Sequence, residues 1–109
     1  MSDLELELEQ TRLDIIECLR QVFDPEIPVN IYDMGLIYNI DVQGEDRKVH
    51  IDMTLTTPNC PAAQELPAQV QLAASQVPGV STVAVDIVWD PPWDPTKMSE
   101  EAQFQLGFI

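Results

Sequence analysis

Residues 36–61 read LIYNIDVQGEDRKVHIDMTLTTPNCP, and their patterning decides the fold. Leu36, Tyr38, Ile40 and Val42 alternate with Ile37, Asn39, Asp41 and Gln43, the two-residue period of a strand. Gly44 to Lys48 form a polar turn, and Val49, Ile51, Met53 and Leu55 then alternate with His50, Asp52, Thr54 and Thr56. Two alternating runs around a polar turn predict an antiparallel hairpin. The stretch ends on TTPNCP. Pro61 suits the first position of a helix, where no N–H is needed, which makes Cys60 the expected N-cap.

Downstream, Ala63, Leu66, Val70, Ala73 and Val77 recur at helical spacing, with Pro67 expected to kink this helix or restart it. Pro78-Gly79 closes it. Val83, Val85, Ile87 and Trp89 alternate with Ala84, Asp86 and Val88, a third strand in which Trp89 is read as core. WDPPWDP is a stiff exit loop, and Ser99 caps a short last helix that stops at Gly107. Upstream, Ser2 and Glu5 fit a capping box for a helix running to about Phe23. Its stripe is Leu8, Ile15, Leu19 and Val22, widened by Ile16 and Phe23, and Cys18 falls on it as a core residue. Asp24-Pro25 stops this helix, because proline disfavours helical geometry in the residue before it. DPEIPVNIYDMG (24–35) is a structured loop.

The order α-β-β-α-β-α predicts a two-layer α/β sandwich of the α+β kind, with a small mixed sheet and helices mainly on one face. Its 109 residues suit one domain, 1–109. The patterns leave strand order open. They also leave open whether the second helix starts at Pro61 or Pro67.

Nineteen acidic residues against five basic ones give a formal net charge of −14. Such a chain repels polyanions, so neither nucleic acid nor an anionic membrane is an expected partner. Solubility is the plain role of the charge, and attraction to a basic patch on a partner protein the sharper one. No apolar run approaches the roughly 20 residues that span a bilayer. Residues 1–10 alternate Leu with Glu and lack the basic start of a signal peptide, so a cytoplasmic location is expected. There Cys18 and Cys60 are thiols rather than a disulfide. Without a CxxC or a Cys/His cluster, no closed zinc site is expected.

Cys60 is the outstanding chemical candidate. A helix N-terminus favours thiolate over thiol, and the thiolate is both nucleophile and metal ligand. The competing role is that of a small buried residue at a cap. Asp24, Glu26 and Asp33 in the first loop could be ligands. Loop-organising hydrogen bonds are the simpler role for Asp24 and Asp33, while Glu26 is open. Thr54, Thr56, Thr57 and Asn59 could line a pocket beside the thiol, or serve strand and turn formation. Trp93 is a candidate for partner docking or for covering the core edge. His50, the only histidine, lies up to roughly 30 Å along an extended strand from Cys60, too far for a Cys–His pair. No phosphate-binding glycine loop is present.

DPEIPVNIYDMGLIYNI (24–40), MTLTTPNCPAA (53–63), VPGV (77–80) and VDIVWDPPWDPTKMSEEAQFQLG (85–107) together resemble the SufT family of iron–sulfur assembly proteins. Relatives of that family include the eukaryotic cytosolic cluster-assembly adaptors and the PaaD protein of phenylacetate degradation. The resemblance covers about residues 12–108 and implies a two-layer α/β domain. It places the family's characteristic cysteine on Cys60, its acidic loop on Asp24, Glu26 and Asp33, and its threonine run on Thr54, Thr56 and Thr57. No cysteine follows Cys60, unlike the cysteine-rich tail of PaaD-type relatives.

The implied role is a non-enzymatic accessory factor in iron–sulfur cluster assembly or transfer. Its partners would be the assembly machinery and client apo-proteins. Cys60 would be a transient cluster or iron ligand, or a thiol contacting a client. A cluster takes about four protein ligands, so a monomer with one such thiolate would hold none stably. A homodimer could bridge one with two Cys60 thiolates and outside ligands. The alternative is an interaction adaptor in which Cys60 is structural. A thiol enzyme is the remotest reading, because no base or oxyanion-hole motif accompanies the cysteine.

Overall fold

The computed structural model describes residues 3–23, 29–55 and 65–107. The elements are α1 (Asp3–Leu19), β1 (Ile37–Gln43), β2 (Lys48–Met53), α2 (Glu65–Ser75), β3 (Thr82–Ile87) and α3 (Glu100–Gln105), with a 3-10 turn at Pro95–Lys97. The element order is the expected one. The sheet order is β1-β2-β3, with β1 antiparallel to β2 and β2 parallel to β3. The central strand is therefore the second half of the hairpin.

One face of the sheet is covered. α1 packs on β1 and α2, and α2 packs on β3. Beneath them Val49, Ile51 and Met53 are buried, while the alternate residues Lys48, His50 and Asp52 are not. The core is completed by Ile15, Leu19, Ile31, Met34, Leu36, Leu66 and Val70, all essentially inaccessible.

Three details depart from the periodic reading. First, α1 ends at Leu19, four residues before Phe23. The bonds Gln21 N–H to Cys18 O (3.1 Å) and Val22 N–H to Leu19 O (3.0 Å) tighten the last turn. The chain is then extended at Phe23, which forms an isolated bridge with Asn30. Val22 stays in the core, but Phe23 is 51 % exposed, and Cys18 is half-buried against the core. Second, the β1–β2 register shifts between Ile37 and Asn39. This irregularity lets the neighbours Leu36 and Ile37 both pack on the core. Third, Trp89 is 46 % exposed rather than core. It lies beyond the last paired residues, Met53 and Ile87, where the strand no longer aims its side chains under a helix. Pro67, expected to kink the second helix or restart it, is the third described residue of α2. The helix start expected at Pro61, its Cys60 cap and the Ser2 cap lie outside the described residues.

At the far end the expectation holds in detail. Ser99 Oγ accepts from Ala102 N–H at 3.1 Å and caps α3, and Gly107 follows at φ 81°.

Candidate functional site

The pairing of Ile37 with Met53 and of Met53 with Ile87 aligns three strand ends. The entry to β1, the exit of β2 and the exit of β3 meet at one edge of the molecule. The C-terminal ends of parallel strands in open α/β sheets are where ligands commonly bind. Here that edge receives the loop before β1, the connection from β2 to α2, and the exit loop after β3.

The described part of the loop before β1, residues 29–36, is tied down by hydrogen bonds. Asn30 Nδ2 donates to Asp33 Oδ2 at 2.8 Å, and Asp33 N–H donates back to Asn30 Oδ1 at 2.8 Å. This reciprocal pair closes a turn that leaves the Asp33 carbonyl to accept from Ser99 N–H at 2.8 Å. Trp93 Nε1 donates to Met34 O at 2.7 Å. Gly35 sits at φ 80°, and a Cβ there would lie 2.3 Å from the carbonyl oxygen of Lys97. Only glycine permits both that angle and that approach. Thr54 N–H donates to Leu36 O at 2.8 Å, and Val88 N–H to Met53 O at 2.8 Å, so the ladder continues past the strands and ties all three ends together.

Among the candidates from the sequence, three are described. Asp33 is engaged in the turn, 4.0 Å from Arg20 Nε, and lines a cleft of about 210 Å³ with Phe23, Val29, Asn30, Glu101, Ala102 and Gln105. Trp93 is half-buried against the core with its indole N–H used. Thr54 is fully buried, and its hydroxyl has no hydrogen-bond partner among the described residues. Asp24, Glu26, Thr56, Thr57, Asn59 and Cys60 lie outside the described residues. By chain connectivity the last four belong to the link from β2 to α2, immediately after Thr54.

Tyr38 joins this edge without having been singled out. Its hydroxyl donates to Pro91 O at 2.7 Å, and Lys97 Nζ lies 5.5 Å from its ring centre. Burial raises its pKa, opposed by Thr54 and assisted by the charge of Asp94. The sequence showed only a strand tyrosine. Its role depends on the irregular register and on the path of the exit loop.

A second polar cluster lies on the uncovered sheet face. His50 Nε2 is 2.6 Å from Asp86 Oδ2 and 3.5 Å from Asp52 Oδ1. One ligand atom from each of the three residues falls within 4.8 Å of the others, a constellation able to coordinate a metal ion. The hydrogen bond that the protonated ring donates to Asp86 is the main cause of a raised His50 pKa. Desolvation lowers it in part, and the charges of Asp52, Asp86 and Asp41 raise it further. The H-x-D spacing on one strand was legible, but the approach of Asp86 needed the β2–β3 register.

A single mixed three-stranded sheet covered on one side by helices defines a small two-layer α/β domain. The chain belongs to the iron–sulfur cluster assembly protein family, whose model matches residues 12–87. It is similar to the Fe–S protein maturation auxiliary factor of Porphyromonas gingivalis, with 52 % identity over 94 % of this chain and 97 % of that one. The maturation auxiliary factor SufT of Staphylococcus aureus is 37 % identical over 79 % of this chain and 97 % of its own. A crystal structure of a domain of unknown function from Bacillus anthracis superposes with a TM-score of 0.87 at 31 % identity, covering 96 % of this chain and 99 % of that one. The family resemblance drawn from the motifs is thus confirmed. Among the described residues, no helix is long and apolar enough to cross a membrane.

Proposed function

We propose that this protein is a non-catalytic accessory factor that helps assemble iron–sulfur clusters or pass them to client apo-proteins, with Cys60 as its working thiol. The observation that carries the reading is the near full-length similarity to a maturation auxiliary factor. Cys60 acts as a transient cluster or iron ligand, or as the thiol that contacts a client. Three features support this. Cys60 belongs by sequence to the link between β2 and α2, and β2 ends at the edge that β1 enters and β3 leaves. Thr54, the last buried polar residue before that link, sets its hydroxyl beside Tyr38 at the same edge. Cys18, the other cysteine, sits in the last turn of α1, half-buried against the core.

The cluster itself is cargo. About four ligands are needed to hold one, so a single Cys60 serves a passing cluster. A homodimer joining two Cys60 thiolates with outside ligands could carry a bridging cluster. The net charge of −14 favours basic surfaces on the assembly machinery and clients as partners.

The test is Cys60→Ser. Serine caps a helix at least as well as cysteine but supplies no soft anionic ligand at neutral pH. Thermal melts should be unchanged, while the activity of an iron–sulfur client enzyme falls in cells carrying the variant. Anaerobic reconstitution with iron and sulfide, read by ultraviolet–visible and Mössbauer spectra, separates a cluster ligand from a client-contact thiol. Full client activity in a normally folded variant would make Cys60 structural and leave an interaction adaptor.

A further inference from the structure

The face of the sheet turned away from the helices carries donors from all three strands. His50 and Asp52 are two residues apart on β2, so their side chains share that face. Asp86 on β3 is in register with Asp52, and Asp41 on β1 is in register with His50. The strand partner of His50 on β3 is Ala84, whose small side chain leaves space above the imidazole.

Two observations point to a bound cation. The first is an electrostatic conflict: Asp52 and Asp86 are directly opposed across a ladder, an arrangement of like charges that destabilises a sheet. No lysine or arginine ion pair is made by either carboxylate among the described residues; His50 alone bridges them. The second is convergence. Donors about 2.1 Å from one ion stand about 3 Å apart at adjacent octahedral corners. The separations from His50 Nε2, 2.6 Å and 3.5 Å, bracket that value. Small rotamer changes on otherwise rigid strands would bring all three onto a common centre.

We propose that the open sheet face binds a divalent first-row transition cation through His50 Nε2 and one carboxylate oxygen each from Asp52 and Asp86. The imidazole sets the class, because calcium and magnesium prefer all-oxygen shells, whereas one nitrogen and two carboxylates suit manganese, iron or zinc. The ion takes the place of the hydrogen between Nε2 and Oδ2, and any proton released goes to solvent. Water fills the remaining positions, since the cluster is open on the solvent side. Asp41 stands one strand away as an outer partner. The site is separate from Cys60, and its test is made on metal alone, so it stands or falls apart from the maturation reading.

The experiment is a manganese(II) titration of the full chain, followed by paramagnetic broadening of amide resonances. Broadening should centre on Asp41, His50, Asp52, Ala84 and Asp86 and saturate at one ion per chain. His50→Gln and Asp86→Asn should each weaken the affinity tenfold or more. The double variant Asp14→Asn with Glu45→Gln removes two carboxylates elsewhere and should bind as wild type. Circular dichroism checks folding. If a site variant fails to fold, the wild-type broadening map alone decides. Broadening spread over the acidic surface, centred on another segment, or equal in site and control variants would overturn the proposal.

Discussion

The central strand β2 shows two opposite designs on alternate residues. Val49, Ile51 and Met53 are at most 3 % exposed beneath the helices. Lys48, His50 and Asp52, one residue out of step, face solvent on the other side and carry charge. On the covered side, burial of apolar area stabilises, and every methylene removed is felt. On the open side, ion pairs sit in high dielectric and each contributes little. The lesson is that stability and charge are carried by different faces of the same strand. The open face should therefore tolerate substitution with the fold intact.

The largest expected effect tests the covered side. Leu19 is wholly inaccessible where α1 meets the core, and Leu19→Ala should destabilise by about 2–5 kcal/mol. Urea melts measure it. A change within error would mean that α1 is peripheral and that the contrast between faces is false.

Next comes the clamp at the strand ends. Gly35→Ala combines a positive φ with a Cβ 2.3 Å from the Lys97 carbonyl oxygen. The variant must push the 95–98 turn away or distort the loop, at a cost of about 1–3 kcal/mol. Thermal melts should show the loss, and amide exchange should speed up at Ser99, whose N–H is held by Asp33 O. Unchanged exchange at Ser99 would show that the loop and the exit segment are not mechanically joined.

The smallest effect belongs to the open face. The folded pKa of His50 is raised, first by its hydrogen bond with Asp86 and then by the charges of Asp52, Asp86 and Asp41. A raised pKa means that the protonated ring favours the folded state. That contribution is fully present below the unfolded value of about 6.5 and is lost as pH rises through the higher folded pKa. In metal-free buffer, an NMR titration of the ring should therefore turn above about 6.5, and Asp86→Asn should bring it back down. Melts of the two proteins should differ slightly at acid pH and converge at alkaline pH. A ring titrating at its ordinary value would mean that the short His50–Asp86 contact does not persist in solution.

The amino-acid sequence by itself determined the element types and their order. Alternation in Val49–Leu55 and helical spacing in Leu66, Val70 and Val77 are local consequences of strand and helix geometry. It also singled out Cys60, because a thiol between a strand and a proline suited to a helix start is a local pattern. Ser99 and Gly107 were legible as cap and stop for the same reason, since capping involves only neighbours in the chain.

What tertiary structure decided was everything that depends on which segments meet. The end of α1 at Leu19 follows from the bridge between Phe23 and Asn30. The exposure of Trp89 follows from where the ladder with Met53 runs out. The use of Trp93 and Tyr38 as ties to Met34 O and Pro91 O depends on an exit loop folding back across about 50 residues or more of chain. His50 and Asp86 are 36 residues apart in sequence, and nothing in either segment encodes their register. Periodicity specifies which face a side chain takes within its own strand. Which residue stands opposite is settled only when the sheet closes around a shared core.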